Sequence, residues 1–188
     1  MSNYRNKLEE YLGTLDIKAD RVLDVGGAAL PVKVRVKSWD VKTYQIYDNA
    51  LETPKEKVDL YVNLNDELID GFDTFDMVFC LEVMEYIRNP KQAIVNLNYF
   101  TKPDGILYIT FPFIYPVHEP KQSDCLRYTC SGVAALLADG GFKILDIVSR
   151  DMTLEGFEHY KKFMKAEGFH AARGARHDQL GWIVKCQK

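Results

Sequence analysis

The amino-acid sequence predicts a doubly wound α/β fold, in which helices pack on both faces of a largely parallel sheet. Three observations predict it. Short apolar stretches typical of strands alternate with helical patterns along most of the chain. The segment Phe75–Cys80 is almost entirely apolar, as expected for a central strand that is buried on both faces. The connections between these elements are short, which favours successive β-α units in one sheet.

The N-terminal half is expected to supply a flanking helix and four strands. Apolar residues recur at helical spacing from Tyr4 to Leu15, which predicts an amphipathic helix that ends near Gly13. Strands are predicted at Arg21–Val25, Thr43–Asp48, Val58–Asn63 and Phe75–Cys80. Valines alternate with basic residues over Val32–Val36, and this pattern leaves helix and strand open for residues 32–40.

The C-terminal half continues the alternation of helices and strands. Asn89 and Pro90 have the residue types of a helix N-cap and a first helical position, and the helix that they begin is expected to stop before Lys102. The other predicted elements are a strand at Gly105–Phe111, a short helix capped by Ser131 that ends at Gly140, a strand at Phe142–Ser149, an amphipathic helix over 154–166 and a last strand at Gly181–Cys186.

Length and composition favour a single domain. The chain has 188 residues, of which 47% are hydrophobic, and this suffices for one core but not for two ordinary domains. We divide it into an N-terminal helix (1–19), a core (20–149), a candidate lid (150–180) and the last strand (181–188). The four cysteines form no C-x-x-C pair, so the sequence predicts neither a metal site nor a disulfide framework.

Charge and hydropathy narrow the partners and the compartment. The net charge of −3, without a long run of Lys or Arg, predicts neither nucleic-acid binding nor attraction to an anionic membrane surface. The N-terminus lacks the apolar region of a signal peptide, and no apolar run approaches the roughly 20 residues of a membrane-spanning helix. We therefore expect a cytoplasmic protein with reduced thiols, and the sequence leaves its oligomeric state open.

Residues at the ends of the first two strands form a candidate binding site. Asp24 is followed by Gly26 and Gly27, and glycines at such a turn let the backbone approach a ligand closely. Asp48 ends the second strand, where a carboxylate can accept hydrogen bonds from both hydroxyls of a ribose. Each feature also has a plain explanation, since the glycines fit an ordinary turn and Asp48 followed by Asn49 is a common solvated turn pair.

The segment Phe111–Thr129 has the densest group of residues suited to chemistry, and it leaves the carboxyl edge of a central strand. His118 is the candidate base, because a side chain with an ordinary pKa near 6.5 accepts a proton at neutral pH. Asp124 orients His118 or acts directly, and Arg127 binds Asp124 or an anionic group of the ligand. In the alternative interpretation, Asp124 and Arg127 form a salt bridge that pins the loop while Tyr128 packs against the sheet.

The order and spacing of these pieces resemble the class I S-adenosylmethionine-dependent methyltransferases over about residues 20–188. The likeness is to a small bacterial branch with a DxGxGxxP first loop and a PxxYPxHxxxxDxxRYT segment after the fifth strand. The matching stretches here are Val22–Pro31, the strand-end Asp48, Phe75–Ile87 and Pro112–Thr129. The resemblance implies a Rossmann-like, mostly parallel sheet of seven strands whose last strand is antiparallel.

The resemblance also implies S-adenosylmethionine as the cofactor. The implied cofactor-binding residues are Asp24, Gly26, Gly27, Ala28, Asp48, Asn63, Leu64, Cys80, Leu81 and Glu82. In this set Asn63 and Leu64 flank the adenine, and Cys80 and Leu81 line the pocket floor, although each position also fits plain sheet packing. Glu82 and Glu85 have a structural explanation too, since acidic groups favour the positive end of a helix dipole in a first turn.

Two positions depart from the family pattern. Ala28 replaces the usual second glycine and adds a methyl group where the backbone passes the cofactor. Tyr86 stands where the family often has histidine, so a base is missing there, although a phenol can still hydrogen-bond the acceptor. The helix over 154–166 is interpreted as cover for the core. Four residues that follow it are left as candidate acceptor contacts: His170, Arg173, Arg176 and His177.

The implied function is methyl transfer from S-adenosylmethionine to a hydroxyl, or less readily an amine, of a small-molecule or saccharide acceptor. The implied catalytic residues are His118, Asp124, Arg127 and Tyr128. One alternative is a non-catalytic binding or regulatory domain on the same fold, which the two departures favour. The other is an NAD-dependent oxidoreductase, which is disfavoured because Gly26, Ala28 and Pro31 do not match G-x-G-x-x-G and the chain leaves little room for a substrate domain.

Overall fold

The computed structural model describes residues 3–49, 54, 57–68, 71–117, 121–168 and 178–188. Within these ranges the strands are β1 (Asp16–Val25), β2 (Ser38–Asp48), β3 (Leu60–Tyr61), β4 (Phe75–Cys80), β5 (Thr101–Pro112), β6 (Lys143–Asp151) and β7 (Gln179–Gln187). The helices are α1 (Asn3–Leu12), α2 (Pro90–Phe100), α3 (Cys130–Asp139) and α4 (Leu154–Ala166). None of these described helices is long and apolar enough to cross a membrane.

The seven strands form one sheet in the order β3-β2-β1-β4-β5-β7-β6. Neighbouring strands from β3 through β2, β1 and β4 to β5 pair in parallel. The strand β7 runs antiparallel to both of its neighbours, β5 and β6. The predicted Rossmann-like α/β fold is therefore confirmed. Because β1 lies between β2 and β4, the strand order reverses at β1, and open α/β sheets bind ligands beyond the carboxyl ends of the strands at such a point.

The core lies on both faces of the sheet. Leu8 and Leu12 of α1 pack on one face, and Leu97 of α2 packs on the other. Adjacent residues of β4 divide between these faces, with Val78 in the cluster under α2 and Phe79 in the cluster under α1. This alternation explains why the sequence of β4 is apolar throughout rather than at every second residue.

Side-chain caps begin two of the helices. The Asn89 side chain accepts a hydrogen bond of 3.3 Å from the Gln92 backbone N–H, and Pro90 occupies the first helical position, as predicted. For α3 the predicted cap at Ser131 is wrong, because Thr129 has the extended backbone of a cap and accepts a hydrogen bond of 3.1 Å from the Gly132 N–H. Ser131 lies inside the first turn of α3.

Replacing Asn89 by alanine is expected to lower the free energy of unfolding by about 1 kcal/mol, because the first turn of α2 loses an acceptor for one of its free N–H groups. Chemical denaturation measures the change. Asn89→Asp is the matched control, since aspartate also caps helices and should leave the stability nearly unchanged. An equal loss in both variants would show that the cap contributes nothing.

The crossover from β1 to β2 contains no α-helix, and residues 26–37 are all described. The sequence left helix and strand open for residues 32–40. The structure has a single 3-10 turn at Val32–Val34, and β2 begins at Ser38. The strands β1 and β2 also begin earlier than predicted, at Asp16 and Ser38, whereas β3 is only two residues long. The long β1–β2 pairing is what extends both strands toward their N-terminal ends.

The interpretation of α4 as cover for the core is wrong, because none of its residues is buried. Leu154 is 86% exposed and Phe163 is 59% exposed. The physical reason is the connection that α4 makes. A crossover between parallel strands must pass over a face of the sheet, as α2 does, whereas α4 joins the antiparallel neighbours β6 and β7 and has no face to cross.

Candidate active site

A cavity of about 380 Å³ opens at the carboxyl ends of β1, β2, β3 and β4, where the strand order reverses. Five predicted cofactor-binding residues line it: Gly26, Asp48, Asn63, Leu64 and Glu82. The other lining residues are Val25, Ala29, Asn49, Val62, Asn65, Val83, Tyr86, Ile87 and Ser123. The remaining predicted cofactor-binding residues are buried and do not line the cavity: Asp24, Gly27, Ala28, Cys80 and Leu81.

The turn after β1 requires its two glycines. Gly26 has a φ of +78°, and a Cβ built on it would lie 2.4 Å from Cγ2 of Val83. A Cβ on Gly27 would lie 2.2 Å from Oδ2 of Asp24. The turn therefore presents bare backbone beside the cavity, which suits a ligand that comes close to main-chain groups.

The carboxylate of Asp24 is almost fully buried, with 2% exposure. Its Oδ2 accepts hydrogen bonds of 2.7 Å from the Val32 N–H and 2.7 Å from the Tyr44 hydroxyl. Burial raises the pKa of Asp24 to about 6, against the opposing effect of these two hydrogen bonds. Asp24 thus organises the turn from behind and does not face the cavity.

Asp48 joins the end of β2 to the same turn. Its Oδ2 accepts a hydrogen bond of 3.3 Å from the Ala28 N–H, and its Oδ1 accepts one of 2.8 Å from the Asn49 N–H. Ala28 is 5% exposed and is not part of the cavity lining. The methyl group that distinguishes Ala28 from the family's glycine is therefore packed inside the protein rather than in the cavity.

Two residues that the sequence analysis missed hold the loop after β3. Asn65 lines the cavity, and its Oδ1 accepts hydrogen bonds of 2.7 Å from the Arg88 N–H and 3.0 Å from the Asn89 N–H. Asn96, which is 2% exposed, donates from Nδ2 to the Leu64 carbonyl at 3.0 Å. A polar residue on the buried face of α2 was the available signal, since a buried amide needs partners.

The backbone conformation and hydrogen bonds of Glu82 differ from those that the sequence predicts. The first-turn role expected for Glu82 and Glu85 is wrong, because only a 3-10 turn follows β4 and α2 begins later, at Pro90. Glu82 has a φ of +57°, and its backbone N–H donates a hydrogen bond of 2.8 Å to Oγ1 of Thr110. The same hydroxyl donates to Oε1 of Glu82 at 2.9 Å. This pair of bonds fixes the unusual backbone conformation at the cavity wall.

Arg150 completes the environment of Glu82. Its guanidinium, 0% exposed, forms a two-point ion pair with the Glu82 carboxylate through Nη1–Oε1 and through Nη2–Oε2 at 3.1 Å. The Glu82 side chain remains 23% exposed. A buried guanidinium from β6 therefore anchors a carboxylate that faces the cavity.

His118 lies outside the described residues, and so do His170, Arg173, Arg176 and His177. Arg127 binds both oxygens of Asp124, with Nη2–Oδ2 at 2.8 Å, and its Nε donates to the Tyr115 carbonyl at 3.1 Å. The Tyr128 hydroxyl donates to the Met84 carbonyl at 2.9 Å. These contacts match the alternative in which a salt bridge pins the loop and Tyr128 packs against the sheet. The catalytic roles of the four residues stay predictions.

Tyr86 lines the cavity at the position where the resemblance leads one to expect histidine. Burial, and then the neighbouring charges of Glu85 and Asp124, raise its pKa above the ordinary value of 10. The phenol is therefore protonated at neutral pH and can donate a hydrogen bond, but it cannot take a proton from an acceptor.

Residues 23–109, which include the glycine turn and β4, match the family model described as "Methyltransferase domain". In sequence, residues 23–109 are therefore similar to methyltransferase domains. The ubiquinone biosynthesis O-methyltransferase of Rickettsia typhi is 31% identical to this chain over 103 residues, which are 50% of this chain and 42% of the relative. The corresponding enzyme of Rickettsia prowazekii is 30% identical over 103 residues, 50% of this chain and 41% of the relative.

The chain spans about two fifths of the length of these curated relatives. A solved S-adenosylmethionine-dependent methyltransferase from Mesorhizobium loti superposes with a TM-score of 0.67 at 10% identity, over 98% of both chains. At this identity the likeness shows the fold alone. The observed strand order and antiparallel β7 are thus features of a fold that methyltransferases use.

The chemistry of the cavity suits S-adenosylmethionine, which carries a ribose and two cationic groups, the sulfonium and the ammonium. Among the described lining residues the charged side chains are two carboxylates, Asp48 and Glu82. The bare backbone at Gly26 lets the ligand approach closely. No group of three or more His, Cys, Asp or Glu side chains in the described ranges is placed to hold a metal ion.

Proposed function

We propose that this chain transfers a methyl group from S-adenosylmethionine to a hydroxyl group of a small molecule. The observation that carries the proposal is the cavity at the reversal of strand order, with a bare glycine turn on one side and two carboxylates on its wall. The choice of a hydroxyl rests on the relatives, which are named O-methyltransferases. A saccharide is the second acceptor class, and an amine the third.

We propose that the adenosine part of the cofactor lies over β2 and β3 and that the acceptor enters beyond β4. Asp48 ends β2 and would bind the ribose, while Asn63 and Leu64 follow β3 and would flank the adenine. Glu82 stands on the opposite side, and its carboxylate contacts β5 and β6 through Thr110 and Arg150. The bound cofactor supplies an activated methyl group with a neutral leaving group, so the chain mainly has to orient the acceptor and exclude water.

A hydroxyl acceptor must lose its proton, and we propose His118 as the base. Tyr86 is protonated and cannot serve. Asp124 has both oxygens engaged by Arg127, which suits it to position the segment rather than to accept a proton. In the sequence, His118 lies between Tyr115, whose carbonyl accepts a hydrogen bond from Arg127, and Asp124.

Replacing His118 by alanine is expected to lower kcat by about 10²–10⁴-fold, the usual contribution of a general base, and to leave the affinity for S-adenosylhomocysteine unchanged. Turnover assays and calorimetry measure the two effects separately. His159→Ala on exposed α4 is the matched control and should retain the wild-type kcat at saturating acceptor. Full turnover in His118→Ala would exclude this residue as the base.

The acceptor class is tested with methyl-labelled S-adenosylmethionine and a panel of monophenols, catechols, monosaccharides and primary amines. Mass spectrometry of the products shows which atom carries the label. We expect the label on a hydroxyl oxygen. Label on nitrogen alone would contradict the proposed acceptor group while leaving methyl transfer intact.

We further propose that the whole chain is one cytoplasmic domain.

We also propose that the segment between β6 and β7 covers the acceptor. The segment starts at the carboxyl end of β6, directly after the residue that holds Glu82. Its α4 has no buried residue, which leaves it available for such a role. Deletion of α4 should then raise KM for the acceptor and leave cofactor affinity unchanged.

A further inference from the structure

The turn that receives the cofactor is not followed by an α-helix. In doubly wound sheets the first crossover helix normally presents its N-terminus to the ligand and fixes the glycine turn. Here the whole crossover is described, and it contains only the 3-10 turn at Val32–Val34. Other contacts must therefore hold the glycine turn in place.

The buried carboxylate of Asp24 supplies such a contact. Its Oδ2 joins β1 to the 3-10 turn through the Val32 N–H at 2.7 Å, and it joins β1 to β2 through the Tyr44 hydroxyl at 2.7 Å. Val32 is fully buried, so this connection is shielded from water. Gly27 passes so close to the carboxylate that a Cβ there would lie 2.2 Å from Oδ2. The position of Asp24 thus sets the position of the turn.

Tyr44 is itself held firmly. It lies beside Val22 in the β1–β2 pairing, and its ring packs edge-to-face against Trp39 with centroids 5.3 Å apart. The ammonium of Lys33 lies 5.1 Å from the centre of the Tyr44 ring. A phenol fixed in this way presents its hydroxyl to Asp24 at little cost in side-chain entropy.

The far end of the 3-10 turn is also anchored. The Arg35 guanidinium, 7% exposed, binds Glu9 of α1 through two hydrogen bonds of 3.1 and 2.7 Å. The Arg35 backbone N–H donates to the Val32 carbonyl at 2.9 Å. With both ends of the turn fixed, the hydrogen bond from Tyr44 to Asp24 acts together with the one from the Ala28 N–H to Asp48 to hold the glycine turn.

We propose that Tyr44 is a positioning residue for cofactor binding, whose hydroxyl holds the Asp24 carboxylate and thereby the glycine turn in the place of the absent crossover helix. This inference rests on S-adenosylmethionine binding at the cavity. Two charged groups also act on the Asp24 carboxyl: Arg35 favours its ionised form, and Asp48 disfavours it. Burial raises the pKa of Asp24 to about 6, so the carboxylate is ionised at pH 7.5 and binds the hydroxyl through a charge-assisted hydrogen bond.

Calorimetric titration of Tyr44→Phe with S-adenosylhomocysteine tests the proposal. At pH 7.5 we expect Kd to rise about tenfold over wild type, in keeping with the loss of a hydrogen bond to a charged group. The ratio of the two Kd values should fall toward one at pH 5, where Asp24 is protonated and the lost bond is a weaker, neutral one. An unchanged Kd at pH 7.5, or a ratio that does not depend on pH, would overturn the proposal.

Two controls separate this result from other causes. Tyr99→Phe removes a phenol hydroxyl that accepts a hydrogen bond of 3.4 Å from the Gly71 N–H and that does not line the cavity, so its Kd should equal that of wild type. Wild-type protein that binds no S-adenosylhomocysteine would contradict the proposed function itself, whereas the inference fails only on the comparison of the variants.

If Tyr44→Phe does not fold, Asp24→Asn provides a second test. The amide keeps the shape of the carboxylate but has no ionisation between pH 5 and 7.5. Its affinity for S-adenosylhomocysteine should therefore lose the pH dependence of wild type in this range. An Asp24→Asn variant that keeps the wild-type pH profile would overturn the proposal, because another group would then control the turn.

Discussion

Replacing Arg150 by methionine is expected to lower the free energy of unfolding by about 3 kcal/mol or more. Arg150 is 0% exposed and neutralises the Glu82 carboxylate through two contacts. Without it, Glu82 would keep one neutral hydrogen bond from Thr110 and only 23% exposure to water, which leaves a poorly compensated charge. Chemical denaturation of the variant measures the loss.

The double variant Glu82→Gln with Arg150→Met is the control for this expectation. Removing both charges removes the uncompensated carboxylate, so the double variant should recover a large part of the stability that Arg150→Met loses. If the double variant is less stable than Arg150→Met, the buried charge is not the cause of the loss, and packing around Arg150 would have to explain it.

Replacing Gly26 by alanine is expected to weaken binding of S-adenosylhomocysteine by about 100-fold, which corresponds to about 3 kcal/mol. The substitution places a Cβ 2.4 Å from Cγ2 of Val83, and both residues line the cavity. It also puts a residue with a Cβ at a φ of +78°, which costs about 1–2 kcal/mol. The turn and Val83 must both move, so the cavity loses its shape where the cofactor would pass the backbone.

Gly168→Ala is the matched control, because Gly168 has a φ of +76° but, among the residues that the structure describes, no atom within 4 Å of the added Cβ. This variant also places a Cβ on a residue with a positive φ, but at the end of α4, far along the chain from the glycine turn. Its affinity for S-adenosylhomocysteine should equal that of wild type. A Gly26→Ala variant that binds the ligand within twofold of wild type would contradict the assignment of the glycine turn to the cofactor.

The sequence predicts the features of this molecule that are local in the chain. The strand β4 is recognised because burial on both faces requires apolar residues throughout, and its predicted bounds agree with the structure. Gly26, Asp48, Asn63 and Leu64 line the cavity because each lies at or shortly after the end of a strand, and parallel strands bring those ends to one edge.

Features that depend on strand order or register are not visible in the sequence. Arg150 meets Glu82 only because β6 and β4 run in the same direction, with β5 and β7 between them. Tyr44 meets Asp24 only through the β1–β2 register, in which it lies beside Val22. Such contacts join residues far apart in the chain, and neither composition nor periodicity indicates them.

Periodicity also misleads where the topology decides burial. The helix α4 has the amphipathic pattern of a core helix, yet its Phe163 is 59% exposed because an antiparallel connection need not cross the sheet. The alternation over Val32–Val36 fits a strand, but the chain makes a 3-10 turn there with Val32 buried and Val34 70% exposed. An alternation of apolar and basic residues therefore does not by itself indicate a strand, since burial here does not alternate.

The most direct measurement is calorimetric titration of the wild-type protein with S-adenosylmethionine and S-adenosylhomocysteine, with NAD as the control ligand. We expect micromolar binding of both adenosyl ligands and no binding of NAD, since the cavity offers carboxylates to the ribose hydroxyls and the ammonium group that both ligands carry, beside a bare glycine turn. No binding of either adenosyl ligand, or binding of NAD instead, would contradict methyl transfer as the function of this chain.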